Sequence, residues 1–298
     1  MLETLESRMM LSTTVRFAAI GDFGAHSAAE HAVAQLVRSW HPDFIITTGD
    51  NNYPNGAAAT LDGNVGADYH CYIYPYRGRY GAGSADHRNH FFPTLGNHDY
   101  MSLGAQPYLK YFKLPGNSRY YSYRLGPVEV FAIDSNPENR DLHYTNARTS
   151  TASSREGKWL RKSLAASTAQ WKIVYFHHPP FSSGTTHGSS AWMRWPFKQW
   201  GATAVISGHE HNYERLIVGG MPYFVDGSGG DSLYPFGKPL KSSRTRYSAE
   251  FGAMRVSADE SAIIFKFISI KGKFIDQYTI AQQPTVSRSM AAIDNHAS

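Results

Sequence analysis

The chain runs to 298 residues, enough for one large domain or two small ones around a buried core. Apolar residues make up 42% and charged residues 18%, the balance of an ordinary globular protein rather than a disordered or fibrous one. The net charge of +5 mildly favours anionic partners, but no basic stripe or nucleic-acid module accompanies it, so no nucleic acid is expected.

No apolar run reaches the eighteen or so residues that a membrane helix needs. Cys71 is the only cysteine, so no intrachain disulfide can form. Residues 1–13 are expected to be a flexible segment without the basic start and apolar core of a signal peptide. Leu5 to Ser12 nevertheless resembles a short segment found near the start of many exported bacterial proteins, with Ser7 where proline is usual. The segment by itself leaves location unsettled.

The predicted elements begin with Val15 to Ile20, a short apolar run rich in β-branched and aromatic residues that reads as a strand buried on both faces. Ser27-Ala28-Ala29-Glu30 is a capping box opening a helix, and Val33, Leu36, Val37 and Trp40 recur along one face of it. Phe44 to Thr48 is the next strand and completes a βαβ unit. Further strands are expected at Val128–Ile133, Trp171–Phe176, Ala202–Ile206 and Pro222–Val225, with a second helix over Gly157–Ser167. Hairpins follow at Gly252–Val256, Ile263–Ile270 and Phe274–Ile280, turning at Gly272. Residues 282–298 have no periodicity and read as a loose tail. Residues 14–281 are expected to form a single domain.

Five short blocks carry the chemistry: Gly21-Asp22-Phe23-Gly24, Gly49-Asp50-Asn51-Asn52-Tyr53, Gly96-Asn97-His98-Asp99, Val174-Tyr175-Phe176-His177 and Gly208-His209-Glu210-His211. Each follows an apolar run. In α/β folds the carboxyl ends of parallel strands form the edge where ligands bind, which puts Asp22, Asp50, His177 and His209 on one rim, with Asn97 joining them. Carboxylate, imidazole and amide side chains on adjacent loops can hold two metal ions about 3.5–4 Å apart, with Asp50 placed between them.

This ordered set resembles the metallophosphoesterase superfamily, and within it the purple acid phosphatases, over nearly the whole chain. Most metallophosphoesterases open with Asp-x-His, whereas position 24 is glycine here. Tyr53, three residues after Asp50, fits the block that supplies a tyrosine ligand in the purple enzymes. Ser207 to Arg215 is similar to the matching segment of plant members. The resemblance implies an α/β four-layer αββα sandwich with two mixed β-sheets, which periodicity alone does not distinguish from a doubly wound sheet. It implies that Asp22, Tyr53 and His211 bind a first ion and Asn97, His177 and His209 a second, with Asp50 shared. Two anions of its own suit the first position to Fe(III), since a free phenol loses its proton only near pH 10. The neutral set suits the second to Fe(II), Zn(II) or Mn(II).

The expected reaction is hydrolysis of a small phosphate ester by water deprotonated on the metals, without a protein nucleophile. His98 and His187 match histidines that the family places at the substrate, and either could protonate the leaving alcohol, with Asp99 orienting a neighbour. The family places a proline two residues after this ligand, so by the resemblance Pro179 points to His177 rather than His178 as the ligand and leaves His178 a structural or rim role beside substrate. The tyrosine-rich stretch Tyr69 to His90 carries Arg77 and Arg79, which could hold extra phosphates, while its tyrosines either stack on a leaving group or pin the loop to the body. A phosphomonoesterase leads. A phosphodiesterase or nucleotide pyrophosphatase is the alternative on the same site, and a non-hydrolytic metal-binding surface protein is the alternative of another class. The sequence leaves oligomeric state open.

Overall fold

The computed structural model describes residues 14–137 and 151–282. The expected flexible segment 1–13 and the tail beyond Gln282 lie outside the described residues. Two mixed sheets stack face to face. The first has the order β13-β12-β11-β1-β2-β3, built from β1 (Val15–Ile20), β2 (Phe44–Thr47), β3 (Phe91–Pro93), β11 (Gly252–Ala258), β12 (Ala262–Ser269) and β13 (Phe274–Ala281). The second has the order β10-β8-β9-β7-β6-β5-β4, from β4 (Tyr121–Leu125), β5 (Val128–Ala132), β6 (Trp171–Phe176), β7 (Ala204–Ser207), β8 (Tyr213–Val218), β9 (Met221–Asp226) and β10 (Ser243–Tyr247).

Alternation along each strand makes three core layers. Phe17 and Ala19 of β1 face the space between the sheets with Phe44, Ile46, Ile173 and Ile206. Ala18 and Ile20 face outward onto Val33, Ala34 and Val37 of α1 (Ala28–Ser39). On the far side, Phe131, Val174 and Val205 meet Leu160 and Leu164 of the helix Arg155–Ala166. These are the four layers that the resemblance implies, and the central strands are apolar on both faces because both faces are covered.

Helix α1 starts where expected. Ser27 Oγ accepts the Glu30 amide at 3.0 Å, and the Glu30 carboxylate reaches back to the amides of Ala25 and His26 at 3.0 and 2.5 Å. The tyrosine-rich stretch is held to the body. Tyr69 is buried edge-on against Phe23, and the hydroxyls of Tyr76 and Tyr111 both donate to Asp62. No helix among the described residues is long and apolar enough to cross a membrane.

Candidate metal centre

Parallel strands β1, β2, β6 and β7 end on one rim, and the loops leaving them carry Asp22, Asp50, His177 and His209. Asn97 opens a short helix, Asn97–Tyr100, just beyond β3. Asp22, Asp50 and His209 sit in left-handed backbone, with φ of 56°, 50° and 69°. Such residues are costly outside glycine, and they persist where the surroundings over-determine them. The loops also approach too closely for side chains at two glycines. A Cβ at Gly49, where φ is 95°, would lie 2.8 Å from His177 Nδ1, and one at Gly96 would lie 2.1 Å from Asp50 Oδ1. Glycine before each acid or amide lets the next loop close in.

One corner gathers Asp22, Tyr53 and His211 around Asp50. Tyr53 Oη lies 3.1 Å from Asp50 Oδ2, 3.1 Å from His211 Nε2 and 3.5 Å from Asp22 Oδ1. Asp22 Oδ2 accepts the His209 amide at 2.9 Å, which leaves Oδ1 facing His211 Nε2 at 3.4 Å. His211 turns Nδ1 to Ser232 Oγ at 2.8 Å, and that hydroxyl donates to Asp231 at 2.9 Å.

The other corner gathers Asn97, His177 and His209. His177 Nδ1 donates to the Thr48 carbonyl at 2.9 Å, so Nε2 is the ring nitrogen that faces inward. There Nε2 meets Asn97 Oδ1 at 2.9 Å, His209 Nδ1 at 3.0 Å and Asp50 Oδ2 at 3.4 Å. Asp50 Oδ1 is occupied by the His98 amide at 2.9 Å, so Oδ2 is the oxygen that faces both corners.

This donor set fits two cations. Lone pairs and carboxylate oxygens converge with few hydrogens between them, and Asp22, Asp50 and His177 form one buried group able to hold an ion. The electrostatics agree. Burial, and then the charges of Asp50 and Asp22, push the Tyr53 phenol far above its usual range, so only a strong cation among these carboxylates would release its proton. Burial would depress His177, but Asp50 and Asp22 outweigh it and hold the ring up at about 9, marking a place built for positive charge. His209 is driven well below the usual histidine range by burial and its imidazole neighbours, which keeps it neutral.

The other predicted residues divide. His98 reaches the centre: its ring packs on Tyr53 at 4.5 Å, Nδ1 donates to the Pro54 carbonyl at 2.5 Å, and Nε2 lies 4.0 Å from Asp50 Oδ2. His187 reaches it too, stacked on His209 with centroids 3.9 Å apart. Asp99 is buried beneath the centre, where its Oδ2 accepts Gly96 N and Asn51 Nδ2 at 2.9 Å each and ties two rim loops together. His178 packs against His209 and Trp192, with Nδ1 against Ser135 Oγ at 2.9 Å, and it forms a possible ligand group with His177 and His209. Arg77 and Arg79 line a cavity of about 500 Å3 with Asp62, Lys110 and Tyr111, where the Arg79 amide donates to Asp62.

Sequence reasoning missed several residues around the ligands. Thr48, Ser232 and Asp231 orient the imidazoles of His177 and His211, and the Tyr234 ring stacks on His211 at 4.0 Å and 7°. The glycine-rich run Gly227 to Gly230 was their available signal, since such a run lets backbone pass close to a site.

The sequence profile of the calcineurin-like phosphoesterase family matches residues 15–213, from β1 to the start of β8. The chain belongs to the calcineurin-like phosphoesterase family. Membership makes it a metal-dependent phosphoester hydrolase with a dinuclear site. It is 25% identical to the tartrate-resistant acid phosphatase type 5 of Homo sapiens, over 87% of this chain and 85% of that one. It is 24% identical to purple acid phosphatase 17 of Arabidopsis thaliana, over 91% of this chain and 85% of the other. Among solved structures, the purple acid phosphatase PPD1 from yellow lupin superposes with a TM-score of 0.74 at 18% identity, covering 92% of this chain and 55% of the lupin chain. This calcineurin-like phosphoesterase thus spans just over half the length of that structure. GAP50, the anchor in the inner membrane complex of Plasmodium, shares the fold with a TM-score of 0.69 at 21% identity, over 91% of this chain and 89% of that one.

Proposed function

We propose that the protein is a phosphomonoesterase of the purple acid phosphatase type. In this reading Asp22, Tyr53 and His211 hold Fe(III), Asn97, His177 and His209 hold Fe(II), Zn(II) or Mn(II), and Asp50 bridges. The observation that carries it is the Tyr53 hydroxyl, which lies within 3.5 Å of both carboxylates and of His211 in a buried corner.

Two cations bound there supply the Lewis acidity that activates water and takes up charge on the phosphoryl oxygens. The chain's own residues do the rest. His98, partly exposed beside Tyr53 and fixed through its Nδ1, would turn Nε2 toward the phosphoryl group and, with both ring nitrogens protonated, donate to its oxygens. His187, stacked on His209, delivers a proton to the departing alcohol oxygen. Asp99 keeps the loop of Asn97 and His98 at its distance from Asp50. His178 fills the wall behind His209 at the substrate rim.

The test is the visible spectrum of iron-replete protein, measured beside hydrolysis of a mono-aryl and a bis-aryl phosphate. The expected sample is purple or pink, bleaches on Tyr53→Phe, and cleaves the monoester faster. A colourless sample with two bound metals removes Tyr53 from the ligand set. Faster cleavage of the diester moves the protein to the phosphodiesterases, and two bound metals without any hydrolysis moves it to the non-hydrolytic class.

A further inference from the structure

Glu210 stands between the candidate ligands His209 and His211, yet its carboxylate is engaged elsewhere. The residue is fully buried. Its Oε1 accepts two consecutive backbone amides, those of His187 and Gly188, each at 2.5 Å. Its Oε2 has no hydrogen-bond partner among the described residues and rests against Gly184, where a Cβ would come within 2.3 Å of the carboxylate. The glycine is what lets the loop close over the acid.

The loop so gripped carries His187. Its base is anchored by Glu214, which accepts the amide and hydroxyl of Ser183, and its outer side by the Thr185 amide on the Pro235 carbonyl at 3.3 Å. Glu210 alone among these anchors binds the backbone of His187 itself. Hydrogen bonds to a charged acceptor are roughly twice as strong as neutral ones, and a buried carboxylate left without donors is costly. Loop and turn therefore hold each other.

We infer that Glu210 is a positioning residue: through the amides of His187 and Gly188 it sets the His187 ring over His209, so that one turn fixes both the ligand pair and the imidazole above it. This rests on the reading of His187 as a participant in phosphoester hydrolysis. It adds a mechanical link between metal ligands and proton donor that acts through backbone amides.

Hydrogen exchange over residues 183–190, metal content and turnover, measured on the metal-loaded full chain, test it together. Glu210→Ala is expected to speed exchange across the loop while both metals stay bound, and to lower turnover about as much as His187→Ala, on the order of 100-fold. The double variant should be no slower than either single one, since both remove the same contribution. Glu210→Gln keeps an acceptor for the two amides and should restore most of the protection and turnover. Gly184→Ala leaves Glu210 in place but pushes the loop off it, and should reproduce the loop exchange even if Glu210→Ala does not fold. Unchanged loop exchange in Glu210→Ala and Gly184→Ala, or losses that multiply in the double variant, would overturn the assignment. Wild-type turnover in His187→Ala faults the reading of His187 instead, and the exchange data then decide the loop contact alone.

Discussion

The two corners of the candidate centre share one rim, one kind of turn and one carboxylate, and they differ in charge. The first sets the Asp22 carboxylate beside the Tyr53 phenol, and its imidazole, His211, is backed by Ser232 and Asp231. The second has an amide and two imidazoles but no acid beyond Asp50, and its imidazole, His177, is backed by the Thr48 carbonyl. A hydroxyl tied to a carboxylate makes the imidazole behind it a stronger donor than a carbonyl does. The fold thus builds two unequal positions from similar parts, and the inequality lies in who stands beside and behind each ligand.

The largest effect is expected at the residue that belongs to both corners. Asp50→Ala should cost both metals and lower hydrolysis on the order of a thousandfold or more, read by metal analysis and initial rates. Retention of one tightly bound ion would show that a corner stands without the bridge. Next come substitutions that separate the corners. Asn97→Ala should weaken the second ion by about tenfold or more while the colour of the first persists, and Tyr53→Phe should do the reverse. Equal loss of both ions in each variant would dissolve the contrast.

A smaller change tests the backing residues. Ser232→Ala should weaken the first ion by about tenfold and leave the second unchanged in a competitive chelator titration. Equal weakening of both ions would mean that Ser232 acts through general stability.

The last prediction lies outside both corners. Burial, opposed by the amide of His26 and helped by the Asp68 charge, raises the Glu30 carboxyl from 4.5 to about 8. The folded chain therefore keeps a proton there that the unfolded chain releases above pH 4.5. Stability from this group is complete at low pH and is lost as pH rises from about 4.5 to about 8, at no more than ~1.4 kcal/mol per pH unit. Glu30→Gln should flatten the pH dependence of thermal unfolding in that window and leave the metal content of both corners as it was. Parallel curves for the two proteins would refute it.

Local signals in the chain announced much of this. β1, β2, β6 and β7 were legible because a strand covered on both faces must be an uninterrupted apolar run, and α1 was legible from Ser27, Glu30 and its stripe. Asp22, Asp50, Asn97, His177 and His209 were legible because each stands just past such a run, behind a glycine or an apolar residue, and Tyr53 and His211 follow Asp50 and His209 at short spacing. β4, β8 and β10 went unread, since the partly exposed faces of Tyr121–Leu125, Tyr213–Val218 and Ser243–Tyr247 break the apolar pattern.

By itself, then, the sequence determined which residues are apolar, where strands end and which side chains of metal-binding chemistry stand at those ends. Tertiary structure alone decided that β1 pairs with β11 from the opposite end of the chain and that two mixed sheets form rather than one. It also decided that Arg77 and Arg79 line one cavity with Asp62, and that Glu210 spends its carboxylate on the His187 loop. The physical reason is range. Burial and turn formation are properties of neighbours along the chain and leave a period or a glycine behind. Strand order and the partner of a buried carboxylate depend on segments that meet only after folding, and nothing in the local pattern marks them.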